Sequence, residues 1–289
     1  MIRLLPMTVY LSCRGLPPVA GRAGGRNLRV GARLVRALCA MACLGLVLFG
    51  FAAHAADGDP PAAPPPAKIE ALGSIEGVVT YRGENPKSRY ADEEGHYRDL
   101  LEVDPKSRGV RYVVVFIGDD EAALKRAAPQ TNNVPTASPP VVIDQKDYIF
   151  VPHLIAVRAG QAVRFTNSDA ANHNVRTLSA HAKNFFNVFT GNGHAYEHRF
   201  VAEPSGRAIP LGCDIHPWMR GWVYVFDHAG FAVTDEQGRF VIPKVPAGRH
   251  KLVLQQPDVE WREERSIEVT TKAAIQVKVE MEREKFRTR

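Results

Sequence analysis

Residues 211–221 read LGCDIHPWMRG, placing Cys213, His216 and Met219 at every third position of one short segment. Soft and borderline metal ligands packed this closely constrain the fold, because they keep a fixed geometry only if the chain is anchored on both sides. Both sides read as strand. Residues 208–213 run in, and 222–226 (WVYVF) run out with the alternation of a half-buried strand.

A fourth ligand has to come from elsewhere. Upstream, residues 165–169 (FTNSD) close a strand and His173 follows within NHNV, so His173 is the natural candidate. One thiolate and two imidazoles with a weak axial thioether form the ligand set of a mononuclear blue-copper electron-transfer site. His173, Cys213, His216 and Met219 supply it.

The cysteine count supports the same reading once the N-terminus is set aside. Residues 1–55 carry seven arginines and no acidic residue, followed by an apolar run over 37–51 and the triplet Ala53-His54-Ala55. A basic stretch, an apolar stretch and a small-residue site predict a secretory signal cleaved after Ala55, and hence a periplasmic or secreted protein with no stable membrane insertion. The alternative is an uncleaved N-terminal anchor, disfavoured because the run falls short of the ~20 apolar residues of a span.

Of four cysteines only Cys213 then remains, so it is a buried inert thiol, an intermolecular bridge or a metal ligand. With His173, His216 and Met219 in register, the metal reading is preferred. The formal charge of +6 also falls, to 30 basic against 31 acidic residues, a net −1. Nothing in that balance points to a nucleic-acid partner.

The His-Asn-Val at 173–175 and the run CDIHPWMRG at 213–221 resemble the cupredoxins, amicyanin most closely, over roughly residues 141–226. The resemblance implies a Greek-key sandwich holding one type 1 copper, and redox protein partners, with a dehydrogenase as donor and a cytochrome as acceptor. It also implies that Asn174 ties the two ligand loops together, the alternative being a turn asparagine. By the same resemblance, His216 reaches the surface in an apolar electron-exit patch with Pro217 and Trp218, although Trp218 has the alternative of packing inward.

After residue 227 the pattern changes. The turn at 234–240 (TDEQGRF) and the Pro-x-Gly at 246–248 resemble the second half of a carboxypeptidase-regulatory-like β-sandwich, with His250 where that family has an aromatic residue. Residues 74–80 and 113–117 look like its first half. Neither flank has strands enough to bury a core alone, which predicts a copper domain inserted into a split sandwich. The alternative is a copper domain followed by a separate module. Architectures of this kind resemble bacterial proteins labelled methylamine utilisation proteins.

The expected organisation is all-β. A signal occupies 1–55, a proline-rich linker 56–72, a first β region 73–140, the copper domain 141–227, a second β region 228–283 and a tail 284–289. A loop is expected over 82–109 and a short helix over 119–128. Among the remaining histidines, His153 is expected to be a satisfied structural residue on a strand. The chain has no His-x-His pair, nucleophile elbow or glycine-rich phosphate loop. The expected function is a non-catalytic one-electron carrier, the alternative a copper-binding or surface-binding module.

Overall fold

A computed structural model describes residues 71–119, 123–124 and 139–287. The predicted signal, nearly all of the linker and most of the predicted helix lie outside these residues. What is described is almost entirely β.

The N-terminal flank comprises β1 (Leu72–Tyr81), β2 (Lys87–Ala91), β3 (Tyr97–Asp99) and β4 (Val114–Ile117). The middle of the chain contributes β5 (Val141–Lys146), β6 (Ile149–Val151), β7 (Leu154–Arg158), β8 (Ala162–Asn167), β9 (His173–Thr177), β10 (Asn187–Thr190), β11 (Ala195–Arg199), β12 (Ile209–Gly212) and β13 (Arg220–Phe226). The C-terminal flank adds β14 (Phe231–Val233), β15 (Arg239–Pro246), β16 (Gly248–Gln256), β17 (Trp261–Val269) and β18 (Ile275–Met281).

The middle strands form two sheets of their own, β10-β9-β12-β13-β7 and β11-β8-β5-β6. Ile143, Val163, Phe165, Val175, Ile209 and Val223 fill the core between them. The two flanks form two further sheets, β15-β1-β18 and β14-β4-β16-β17. Residues on either side of the middle segment pair directly, Glu76 with Val241 and Val115 with Leu254. The middle sandwich is therefore inserted between the halves of a second one.

This arrangement accounts for the unbroken apolar run of β4. Val113, Val115 and Ile117 face the core of the split sandwich, while Val114 and Phe116 face Leu154, Tyr224 and Phe226 of the middle sandwich. A strand covered on both faces has no place for alternating polar residues. Strand β13 shows the same division, with Val223 and Val225 turned one way and Tyr224 and Phe226 the other.

The turn at Gly238 locks the flanks together. Gly238 has φ +76°, and an added Cβ would strike the Val79 carbonyl and the Gly109 backbone. Asp235 fixes that turn by accepting from the N–H groups of Gln237 and Arg239, both at 2.9 Å.

Two local expectations change. Residues 82–109, read as a loop, contain the β2–β3 hairpin, whose polar, half-exposed strands lack the apolar alternation that marks a strand in sequence. The strand expected to carry His153 divides into β6 and β7, because Pro152 has no N–H to give a ladder and the chain bends there. His153 thus lies between strands rather than on one.

Candidate metal centre

The loop from Cys213 to Met219 joins β12 to β13 and is closed by its own backbone. Met219 N–H donates to the His216 carbonyl (2.9 Å), and Cys213 N–H donates to the Met219 carbonyl (3.3 Å). Below the loop, Gly212 pairs with Arg220 in the ladder. His173 opens the neighbouring strand β9, which pairs with β12 through Leu211 and Gly212. Two adjacent strand ends thus bring residues forty apart in sequence to one place.

There His173 Nδ1 and His216 Nδ1 stand 2.9 Å apart, and Cys213 Sγ lies 4.0 Å from the first and 3.7 Å from the second. All three residues are buried. Met219 is fully buried in the same apolar cluster as Cys213. Among the described residues, this is the one group of histidine, cysteine and acidic side chains placed to hold a metal ion.

The orientation of the rings shows that the group suits a cation. His173 Nε2 meets Asp169 Oδ2 at 2.8 Å, and His216 Nε2 faces Glu93 Oε1 at 3.5 Å. The Asp169 carboxylate, hydrogen-bonded to His173 Nε2, holds the proton on that nitrogen and leaves Nδ1 with its lone pair, while Glu93 stands at ion-pair distance from His216 Nε2. Both Nδ1 atoms and the thiol sulfur thus converge on one point. The residues fit a borderline-soft metal such as copper. Burial, reinforced by the neighbouring His173, pushes the His216 imidazole below its usual range, which further favours the neutral ligand form.

Asp169 organises one side of the site. Besides His173, it accepts from the backbone N–H groups of Asp147 (2.7 Å) and Tyr148 (3.0 Å), the two-residue turn of the β5–β6 hairpin. Burial alone would raise its pKa. The N–H of Tyr148, the His173 ring and the N–H of Asp147 outweigh that and hold the carboxyl below the usual range. Both turn residues have positive φ, 54° and 57°, a conformation that a tyrosine adopts only when held. The Tyr148 ring stands edge-on to both imidazoles, with centroids 5.5 Å from His173 and 5.0 Å from His216. The sequence reading missed Asp169 and Tyr148. The acid four residues before His173 was the available signal.

Asn174 joins the two ligand-bearing segments. Its Oδ1 accepts from Asp214 N–H (2.7 Å) and from the Cys213 thiol (3.3 Å), while Nδ2 donates to Asn187 Oδ1 (2.8 Å) and Asp214 Oδ2 (3.1 Å). Arg176 completes the cluster by pairing with Asp214 at 2.6 Å.

The three residues expected to form an exposed exit lie differently. Only Pro217 is exposed; His216 is 7% exposed and Trp218 is half-buried against the core of the middle sandwich. The cover comes from the β2–β3 hairpin, a segment far away in sequence. Its tip carries Glu93, and its Tyr90 ring receives the Arg220 guanidinium at 5.2 Å. His153, expected to be structural, pairs with the buried Asp258 of the split sandwich at 2.9 Å.

No family model matches the chain, and no curated protein matches it. Among solved structures, a reduced amicyanin mutant is 23% identical, covering 30% of this chain and 81% of its own, with a TM-score of 0.26. A purple cupredoxin from Nitrosopumilus maritimus is 25% identical over 29% of this chain and 98% of its own (TM-score 0.26). A copper-containing nitrite reductase from Thermus scotoductus is 22% identical over 35% of this chain and 26% of its own (TM-score 0.28). Each likeness is partial, and the chemistry of the site rests on its own residues.

Proposed function

We propose that the chain is an exported, cupredoxin-like type 1 copper protein that carries single electrons between redox proteins. His173, Cys213, His216 and Met219 hold its one copper. The supporting observation is the convergence of two imidazole Nδ1 atoms and one thiol in a buried pocket, both rings having a carboxylate on the opposite nitrogen.

Bound there, copper supplies a reversible one-electron couple. The chain's own contribution is to hold its ligands still. Cys213 and His216 sit on a loop closed at both ends, and His173 is fixed by Asp169 and by its place in β9. Ligands held this way have little to rearrange when the charge on the metal changes, and thiolate with thioether suits the reduced ion while imidazole suits the oxidised one. In this reading the chain performs no catalysis, and its donor and acceptor are proteins such as a dehydrogenase and a cytochrome. The split sandwich is of carboxypeptidase-regulatory-like type, supported by its Asp235–Gly238 turn.

The test is the visible spectrum of the exported form with one equivalent of copper(II), beside Cys213→Ala. A strong thiolate-to-copper band is expected, bleached reversibly by ascorbate and absent from the variant. A well-folded wild-type protein without that band would reject the electron-carrier reading and leave a copper-binding or surface-binding module.

A further inference from the structure

On the outer face of the β10-β9-β12-β13-β7 sheet, Leu154, Tyr224 and Phe226 of β7 and β13 pack against the split sandwich. Among the described residues no side chain of β9 or β10 joins that layer, and Tyr90 of the β2–β3 hairpin borders their half beside Arg176 and Leu178. The cross-strand pairs Asn187 with Arg176 and Phe189 with Asn174 share one face, and Leu178 and Phe185 continue the alternation. Phe189 is 62% exposed, Phe185 57% and Leu178 52%, and Ile215 of the metal loop is 50% exposed beside Asp214. Four of the nine large apolar side chains exposed among the described residues thus lie on or beside this half-sheet, whereas exposed apolar residues are ordinarily scattered.

The face also leads to the metal centre. Asn174, one of its residues, contacts Cys213 Sγ at 3.3 Å and reaches Asn187 on the outer strand at 2.8 Å. The charges at its middle, Arg176 and Asp214, cancel at 2.6 Å. His216 itself is closed in by Glu93, Tyr148 and Trp218.

We propose that a protein redox partner docks on the β9–β10 face, through Phe185, Phe189 and Ile215, and exchanges electrons by way of Asn174 and Cys213 rather than at the His216 edge. The inference rests on the electron-carrier reading above. The partner it fits presents a small, uncharged apolar surface, because the face offers apolar side chains around a neutralised ion pair.

The test uses the full copper-loaded protein with a second copy as the redox probe. The electron self-exchange rate is measured for wild type, Phe185→Glu with Phe189→Glu, and Pro217→Glu, which puts the same charge on the exposed residue beside His216. The double variant should keep the thiolate-to-copper band and lose about tenfold or more in rate, since it places like charges on both copies where they meet. Pro217→Glu should stay within about twofold of wild type. Unchanged exchange in the double variant, or a loss of about tenfold in Pro217→Glu alone, would return the exit to His216 and overturn the proposal. A stable wild-type dimer that the double variant dissociates would also overturn it, by assigning the face to a permanent copy. Absence of the band from wild type would instead mark failure of the electron-carrier reading.

Discussion

The two sandwiches are built from similar strands but differ in how much polar structure they bury. The split sandwich has an apolar core of Ile75, Val79, Leu252, Leu254, Trp261 and their neighbours, beside which it buries the polar Thr234, His250 and Gln256. The middle sandwich buries more polar side chains, among them Gln145, Asn167, His173, Asn174, Thr177, Asn184 and Thr190. Most of these are tied to named partners: Gln145 to Thr190 at 2.9 Å, and Asn167 to the carbonyls of Ala171 and Thr190, both at 2.9 Å. Polar groups in a core fix orientation well but cost stability wherever one is left unpaired. The contrast suggests a division of labour, in which the middle sandwich holds the site in place while the split one and the shared layer supply apolar packing.

The largest effect should come from the layer between them. Phe116 is 2% exposed and packs at a tilt against Phe226, with centroids 5.1 Å apart. Phe116→Ala should cost about 3–5 kcal/mol in denaturant unfolding. Both sandwiches should unfold in one transition. Two separated transitions in the variant would show that the middle sandwich does not depend on the split one.

A change in the polar network should act on the site instead. Asp169→Ala removes the acceptor of His173 and of the Tyr148 turn. It should weaken copper binding about 10–100-fold in a chelator competition, as loss of a partner behind a ligating histidine does. An equal fall in affinity for Phe116→Ala would break the division between the two regions.

The His153–Asp258 pair links the regions and sharpens the comparison with pH. Burial would lower the His153 pKa and raise that of Asp258, but the charge of each on the other overrides this, so His153 is raised and Asp258 lowered. A raised histidine stabilises the fold below its ordinary pKa and loses this as pH rises through the shifted value. A lowered aspartate stabilises above its ordinary pKa and loses this as pH falls through its own. The contribution is therefore complete between about pH 4 and 6.5 and declines on both sides. His153→Ala should cost about 1–3 kcal/mol inside that window and less above it. A pH-independent difference in melting temperature would show that the histidine contributes packing alone.

Sequence alone determined the parts of this protein that rest on local pattern. The spacing of Cys213, His216 and Met219 between two strands marked the loop, and the isolated His173 with Asn174 marked its neighbour, because ligand chemistry needs particular residue types at short intervals. The apolar run of β4 marked a buried strand, and the turn at Gly238 was legible from its composition.

Only the tertiary structure decided what covers what. The hairpin that closes His216 arises about 120 residues before it, and its polar strands carry no apolar period. Asp169 and Tyr148 matter through where a two-residue turn meets a histidine, and the β9–β10 face stays apart from the split sandwich because that sandwich packs on β7 and β13. A sequence pattern records which side of a strand is apolar. Which neighbour buries it depends on contacts between distant segments, and those form only as the chain folds.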